Sequence, residues 1–162
     1  MEYRISEETI ESDLRELEIL FKKTFEPSDY MLSESLDEGK IRSILSKQEA
    51  KLYTCRVPDG TPVGYLYSVR RSVPEFSHRV KIQALAVLPS ERGKGVGSAL
   101  LNYVINLAKT EKLKLVFLEV VSANTAAINL YEKFGLLETG SLPNGYKKNS
   151  VFYDIKTYAL TL

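Results

Sequence analysis

The segment from Leu85 to Ile105, LAVLPSERGKGVGSALLNYVI, constrains the fold of this chain more than any other stretch. It begins with apolar residues typical of a strand, passes Pro89 and a turn with three glycines, and continues with the apolar spacing of an amphipathic helix. In such a turn, backbone N–H groups converge at the helix N-terminus, where the helix dipole adds positive potential. The turn therefore favours an anion, and Arg92 and Lys94 add positive charge beside it.

The spacing of Gly93, Gly95 and Gly97 separates this turn from two common phosphate-binding motifs. In the dinucleotide motif G-x-G-x-x-G the third glycine comes one residue later, and no acidic residue stands in a convincing position to bind a ribose. A Walker loop requires a lysine followed by serine or threonine, whereas Lys94 is followed by Gly95. From spacing alone, the turn is either an anion site or a tight connection with solvated charges.

The strand before the turn contains an irregularity in its alternation. Apolar residues occupy Val80, Ile82 and Ala84, and the pattern then changes parity to Leu85 and Val87. One inserted residue shifts a strand from one face to the other in this way. The sequence therefore predicts a β-bulge near Ala84 and Leu85 that splays the strand away from its neighbour.

Residues before this strand predict two helices and a hairpin. Helical spacing of apolar residues predicts a helix within 7–25 and a second, weaker one within 35–47. Residues 51–57 and 63–71 alternate like strands on either side of the turn PDGTP. The inward-facing residues expected for the two helices are Ile10, Leu14, Leu17, Leu20 and Phe21, and then Ile41, Ile44 and Leu45.

Residues after the glycine turn predict alternating helices and strands. The run KLVFLEVV is typical of a central strand covered on both faces, and the next helix begins at Ser122 or Asn124 and ends at Gly135. Residues 136–142 and 150–162 then read as strands around the turn PNGYKKN. We expect one α/β domain over residues 1–162, with a mixed sheet and helices on both faces.

Charge and composition limit the function classes. The 162 residues carry a formal net charge of only +1, which gives no electrostatic case for a general nucleic-acid or membrane-surface binder. The chain begins without a signal sequence, contains no membrane-spanning apolar run and has a single cysteine, so we expect a cytoplasmic protein. His78 is the only histidine, so a multi-histidine metal site lacks members, and we interpret His78 as a solvated residue at the start of a strand; we expect no metal.

Two blocks of this sequence resemble the GNAT family of N-acetyltransferases. LAVLPSERGKGVGSALL is similar to the acetyl-CoA-binding segment, with Arg92, Gly95 and Gly97 at the motif positions. LEVVSANTAAINLYEKFGL is similar to the second conserved block, and is closest to the enzymes that acetylate the N-terminal alanine of ribosomal proteins. The blocks cover about residues 80–140. The resemblance implies the GNAT fold, with a mostly antiparallel sheet of six or seven strands.

The resemblance also implies where acetyl-CoA binds. The splayed strand would pair with the pantetheine arm, the glycine turn would hold the pyrophosphate, and Asn124 would contact the pantetheine. The expected acetyl-CoA-binding residues are Leu85, Ala86, Val87, Arg92, Gly93, Lys94, Gly95, Val96, Gly97, Ser98 and Asn124. The backbone N–H of Leu85 or a neighbour is the expected donor to the oxyanion.

Acetyl transfer to an amine requires a proton acceptor for the amine and a donor for the departing thiolate. Glu119 lies among apolar residues of the central strand, where a carboxylate either finds a partner or faces a cleft with its pKa raised. The resemblance places the base of the ribosomal-protein enzymes at Glu119. It places the family's proton donor at Tyr131, which spacing alone would assign to the core.

The amine acceptor is expected between the first two helices and the last hairpin, roughly residues 25–45 and 139–152. Tyr30 and Tyr146 are the expected acceptor-binding residues. The end of the chain resembles both N-terminal acetyltransferases and small-amine acetyltransferases, so we expect a peptide N-terminus, with polyamines and other small amines as the alternative. A CoA-binding regulator without turnover is a second alternative. We expect a monomer or homodimer.

Overall fold

The computed structural model describes residues 2–24 and 36–162. Within these ranges the chain forms seven β-strands and four α-helices. In chain order they are β1 (Arg4–Glu8), α1 (Leu14–Thr24), α2 (Glu38–Leu45), β2 (Ala50–Arg56), β3 (Pro62–Val69), β4 (Arg79–Val87), α3 (Val96–Thr110), β5 (Leu115–Val121), α4 (Thr125–Lys133), β6 (Leu137–Lys148) and β7 (Val151–Thr161). None of the helices in these ranges is long and apolar enough to cross a membrane.

The strands form one sheet in the order β1-β2-β3-β4-β5-β7-β6. Every neighbouring pair is antiparallel except β4 and β5, which are parallel because α3 crosses between them. The predicted mixed, mostly antiparallel sheet is confirmed, with seven strands. The predicted hairpin of β2 and β3 is also confirmed, with Leu52 opposite Tyr67.

Helices cover both faces of the sheet, as the sequence predicted. On one face, α3 and α4 pack over β4 and β5 around Leu100, Leu118 and Tyr131. On the other face, α1 and α2 pack over β2 and β3 around Leu17 and Ile41. The sheet is therefore covered on both sides at β2 and β3. In β5 the buried residues are Val116, Leu118 and Val120, and the alternate residues are only half-buried, so the expectation that β5 is covered on both faces holds for one face.

The first helix begins later than its apolar spacing predicts. Asp13 caps it, since its Oδ1 accepts hydrogen bonds from the backbone N–H groups of Arg15 at 3.0 Å and Glu16 at 3.1 Å. Ile10 lies in the preceding turn with 48% of its surface exposed. The prediction that Ile10 faces the core was therefore wrong, because the cap starts the helix after it.

The last hairpin turns at a different place from the predicted turn PNGYKKN. Strand β6 runs on to Lys148, which is opposite Val151, and the two residues between them turn the chain with φ of 48° at Asn149 and 66° at Ser150. Positive φ at both positions is the geometry of a tight hairpin turn. Residues 143–145 instead form an irregularity inside β6, between Leu142 and Tyr146. The proline and glycine mark a bulge, not the turn.

The predicted bulge lies in β4. Tyr67 of β3 is opposite Ala84, and Ser68 is opposite Ile82, so Gln83 is the extra residue. The prediction of a bulge is confirmed, and the extra residue lies one position before Ala84. Pairing of β4 with β5 ends at Ile82 and Leu118, immediately before this bulge. Beyond that point the two strands diverge, and the splay predicted from the parity shift is present.

Candidate active site

A cavity of about 920 Å³ opens where β4 and β5 diverge. Residues 83–87 of β4 form one wall and residues 118–121 of β5 form the other. The cavity brings together most of the predicted site residues, namely Leu85, Ala86, Val87, Arg92, Gly93, Gly95, Val96, Gly97, Ser98, Glu119, Asn124, Tyr131 and Tyr146. Lys94 does not line it, and Tyr30 lies outside the described residues.

From Ala84 to Val87 the β4 wall has apolar side chains, so its polar groups there are those of the backbone. Residues 83–87 pair with β3 on one side, and their pairing with β5 has ended on the other. Alternate N–H and C=O groups of this edge therefore face the cavity, where a ligand that carries amide groups could pair with them as an added strand.

The glycine turn ends at the N-terminus of α3. The first backbone hydrogen bond of the helix runs from the N–H of Ala99 to the carbonyl of Gly95 at 2.9 Å. The N–H groups of residues 96–98 precede that bond and are available to a ligand. Gly95 is the N-cap with φ of 93°, and a Cβ added there would meet no atom within 4 Å. The turn is therefore open at the position where an anion would approach.

Two other glycines allow α3 to pack closely at this end of the cavity. A Cβ at Gly97 would lie 3.3 Å from Cδ2 of Leu130. A Cβ at Gly64 of β3 would lie 2.8 Å from Cγ1 of Val96 and 2.9 Å from the carbonyl oxygen of Ala86. Gly64 is a residue that the sequence reasoning missed, because its constraint comes from a helix 32 positions later in the chain.

The two basic residues of the turn have different roles. Arg92 lines the cavity, and its Nε donates a hydrogen bond to the carbonyl of Val87 at 3.3 Å, which joins the turn to the end of β4. Lys94 forms an ion pair with Glu91 at 3.1 Å, and its carbonyl accepts a hydrogen bond from the hydroxyl of Tyr3 at 3.1 Å. Only Arg92 contributes to the surface of the cavity.

Glu119 both faces the cavity and has a partner, the two outcomes that the sequence treated as alternatives. Its Oε2 accepts a hydrogen bond from Nζ of Lys81 at 2.8 Å, and the side chains of Lys81 and Glu119 are 24% and 33% exposed. Lys81 compensates the negative charge of the carboxylate at the edge of the core. Among the described residues, none donates to Oε1 of Glu119, so that oxygen is available to a ligand or a water.

Tyr131 lies in α4 and is 7% exposed, so both interpretations of this residue hold in part: it packs in the core and also lines the cavity. Burial raises the pKa of Tyr131 to about 12. Within residues 2–24 and 36–162, its hydroxyl forms no hydrogen bond. The side chain is therefore a fixed, neutral donor whose O–H has no protein partner in this part of the chain.

Asn124 is the N-cap of α4, one of the two residues that the sequence offered for this position. Its Oδ1 accepts a hydrogen bond from the N–H of Ala127 at 3.2 Å. Since the cap uses the oxygen, a contact from Asn124 to a ligand would come from its amide nitrogen.

The opposite end of the cavity is lined by residues of the last hairpin and of α1. Tyr146 and Tyr153 are opposite each other in β6 and β7, with ring centroids 6.4 Å apart. Lys148 and Thr24 lie on the same rim. Sequence reasoning selected Tyr146 as an acceptor-binding residue. It did not select Lys148 or Thr24, because strand register and helix packing bring these residues to the cavity.

Comparison with known proteins decides the family. The Acetyltransferase (GNAT) family matches residues 13–136, which include both sequence blocks and all of the cavity except its hairpin rim. This chain belongs to the GNAT acetyltransferase family. A structure of the ribosomal-protein-S18-alanine N-acetyltransferase from Escherichia coli has the same fold, with a TM-score of 0.80 at 21% identity over 99% of this chain and 94% of that one.

Curated relatives of this GNAT chain include proteins with different acceptors. An N-alpha-acetyltransferase from Sulfurisphaera tokodaii is 33% identical over 110 residues, which are 63% of this chain and 65% of the relative. A spermidine N(1)-acetyltransferase from Vibrio cholerae is 29% identical over 82 residues, 50% of this chain and 47% of the relative. The match thus spans less than two thirds of each relative's length.

The cavity of this GNAT protein fits acetyl-CoA in two separate features. The free edge of residues 83–87 suits the two amides of a pantetheine arm, and the open turn at Gly95 suits a pyrophosphate.

Cys55 lies outside the cavity lining, and burial raises the pKa of its thiol to about 11, so it offers no thiolate for a covalent route.

Proposed function

We propose that this protein transfers an acetyl group from acetyl-CoA directly to the amine of a peptide or protein N-terminus. The observation that supports this proposal is the end of β4–β5 pairing at Ile82 and Leu118. From that point a free strand edge leads to an open glycine turn on one side, and Glu119 and Tyr131 line the same cavity. An activated thioester seated along that edge would meet both side chains.

Glu119 would take the proton of the acceptor. Acetyl-CoA supplies a thioester carbonyl; the amine nitrogen forms a bond to this carbon, and the bond from carbon to sulfur breaks. Oε1 of Glu119 accepts the amine proton, directly or through a water, while Lys81 holds Oε2 in place. The backbone N–H groups of Leu85 and its neighbours would donate to the carbonyl oxygen as negative charge develops on it.

Tyr131 would act on the departing sulfur. Its hydroxyl carries a proton at any physiological pH because burial raises its pKa to about 12. Since the hydroxyl has no partner among the described residues, its hydrogen bond can go to the sulfur position without breaking another. Tyr131 thus provides a neutral donor where negative charge appears.

The charges of the described residues that line the cavity favour a peptide over a polyamine. Among the described residues that line it, the carboxylates are Glu91 and Glu119, and each is paired with a lysine. The acceptor rim adds Lys148 beside Tyr146. A polyamine carries several positive charges and needs several unpaired carboxylates, whereas a peptide needs an apolar and aromatic surface beside one amine.

Release of free thiol tests the proposal. Purified protein is mixed with acetyl-CoA and a panel of peptides that differ in the first residue, with spermidine and with free amino acids. We expect thiol release with at least one peptide at a higher kcat/KM than with spermidine. Faster turnover of spermidine would contradict the acceptor class, and tight CoA binding without thiol release from any acceptor would show a binding module.

The variant Glu119→Gln tests the role of the base. It keeps the size of the side chain but cannot accept a proton, and we expect kcat to fall by about 10²–10⁴-fold with acetyl-CoA affinity unchanged. Lys156→Gln is the matched control, since Lys156 forms an exposed ion pair with Glu138 at 2.8 Å outside the cavity lining. Wild-type kcat in Glu119→Gln would assign the carboxylate to structure.

A further inference from the structure

Gln83 has a buried polar atom without a partner. Its Oε1 has no hydrogen-bond partner, and it is the one buried side-chain N or O atom of the described residues in this condition. Buried amide oxygens in folded proteins are almost always hydrogen-bonded, because loss of water without a replacement partner costs free energy. Because Gln83 lines the cavity, its orphaned oxygen indicates a place where a ligand supplies the donor.

The position of Gln83 connects this oxygen with the reacting groups. Gln83 is the extra residue of the β4 bulge and comes directly after Ile82. Glu119 comes directly after Leu118, and Ile82 and Leu118 are the last paired residues of the two strands. Gln83 and Glu119 are thus the first residues on either side of the opening, and both line the cavity.

A primary amine offers two N–H groups and a lone pair. During attack on a thioester, the lone pair points at the carbonyl carbon and one proton leaves toward Glu119. The second N–H then remains on the nitrogen and needs an acceptor as the nitrogen becomes more positive. Gln83 is the first residue of β4 beyond the paired strands and lines the same cavity, and a donor from the nitrogen would satisfy its Oε1.

We propose that Oε1 of Gln83 accepts the second N–H of the acceptor amine and thereby selects primary amines over secondary ones. The inference rests on the proposed function, since it needs an amine that attacks beside Glu119. A secondary amine, such as an N-methylated residue, has one N–H; if that proton goes to Glu119, Gln83 stays without a partner. A site with a polar group that is unpaired for one substrate discriminates against this substrate.

The test compares two acceptors that differ by one N–H. The peptide that wild-type protein acetylates fastest, or the small amine if no peptide reacts, is assayed beside its N-methyl derivative. The ratio of kcat/KM for the primary amine to that for the N-methyl amine is measured in wild type, Gln83→Met and Gln83→Glu. Methionine keeps the length of the side chain without an acceptor oxygen, whereas glutamate keeps the oxygen.

We expect the ratio to fall about tenfold in Gln83→Met, as for the loss of one hydrogen bond, and to stay within about threefold of wild type in Gln83→Glu. An equal loss of kcat/KM for both amines in Gln83→Met, or an unchanged ratio, would overturn the inference and leave the proposed function intact. Wild-type protein that acetylates neither amine would overturn both.

Thermal unfolding without ligands gives a second readout. Because Oε1 has no protein partner, its removal in Gln83→Met is expected to leave the melting temperature unchanged or higher. A lower melting temperature in Gln83→Met, with the amine ratio of wild type, would assign Gln83 to the stability of the bulge and would contradict the proposal.

Discussion

Tyr131→Phe removes one hydroxyl and leaves the packing of the ring in place. The side chain is 7% exposed and lies in the core formed with α3 and β5. Its hydroxyl forms no hydrogen bond with the described residues. We therefore expect the free energy of unfolding to change by less than about 0.5 kcal/mol, since the variant breaks no protein hydrogen bond.

The size of the effect on turnover follows from the pKa of Tyr131. An ordinary thiol has a pKa of about 8.5, so full proton transfer from a tyrosine with a pKa of about 12 costs about 5 kcal/mol. The hydroxyl therefore stabilises the departing thiolate by a hydrogen bond to a charged atom, which contributes about 1.5–3 kcal/mol. This range corresponds to a decrease in kcat of about 10- to 150-fold.

The assay measures thiol release at saturating acetyl-CoA together with acetyl-CoA affinity by calorimetry. We expect kcat of Tyr131→Phe to fall within that range while the Kd for acetyl-CoA changes by less than about threefold. The wild-type rate should show no decrease from ionisation of Tyr131 below about pH 10, because its raised pKa keeps the hydroxyl protonated. A decrease above about 10³-fold would mean complete proton transfer, and an equal loss of affinity would make Tyr131 structural.

Three further predictions use matched residues. Gly95 and Gly60 have φ of 93° and 92° and open surroundings, so Gly95→Ala and Gly60→Ala should each lower the free energy of unfolding by about 1–2 kcal/mol. Only Gly95→Ala should weaken acetyl-CoA binding, and equal Kd values for the two variants would contradict the anion site. Gly64→Ala should lower the free energy of unfolding by about 1–3 kcal/mol, because its Cβ would lie 2.9 Å from the carbonyl oxygen of Ala86. Gly140→Ala is the control: its Cβ would have no atom within 4 Å, and urea unfolding should show no change in stability. Burial would raise the pKa of Glu8, but hydrogen bonds from Thr54, Ser12 and Arg56 outweigh burial and lower this pKa. The free energy of unfolding of the wild type should therefore fall as the pH drops below about 4.5. Glu8→Gln should flatten this pH dependence, and an unchanged slope would exclude Glu8 as its source.

The end of the cavity that we propose for acetyl-CoA was largely predictable from the sequence because its determinants are local. A glycine turn, a helix N-terminus and a parity shift each depend on residues within a few positions of one another, and the turn from Gly93 to Ser98 lies where the sequence placed it. Lys94 illustrates the limit of this reasoning. Its charge was visible in the sequence, but the Glu91 pair and the Tyr3 contact that hold it outside the cavity lining depend on tertiary packing.

The end of the cavity that we propose for the acceptor was poorly predictable because it depends on strand register. The sequence placed a turn at residues 143–149, whereas in the structure β6 continues to Lys148 and the chain turns at Asn149 and Ser150. This register sets Tyr146 opposite Tyr153. Tyr30, the other predicted acceptor residue, falls outside the described residues and stays a prediction.

The sequence by itself determined the class of the sheet, the bulge and the glycine turn, since periodicity and spacing carry this information along the chain. The resemblance to the GNAT family selected Glu119 and Tyr131, and their roles stay predictions. Only the tertiary structure decided that Lys81 pairs with Glu119, that Gly64 admits α3, and that Gln83 holds a buried oxygen without a partner. These facts join residues on different strands or helices, and packing brings them together only after the chain has folded.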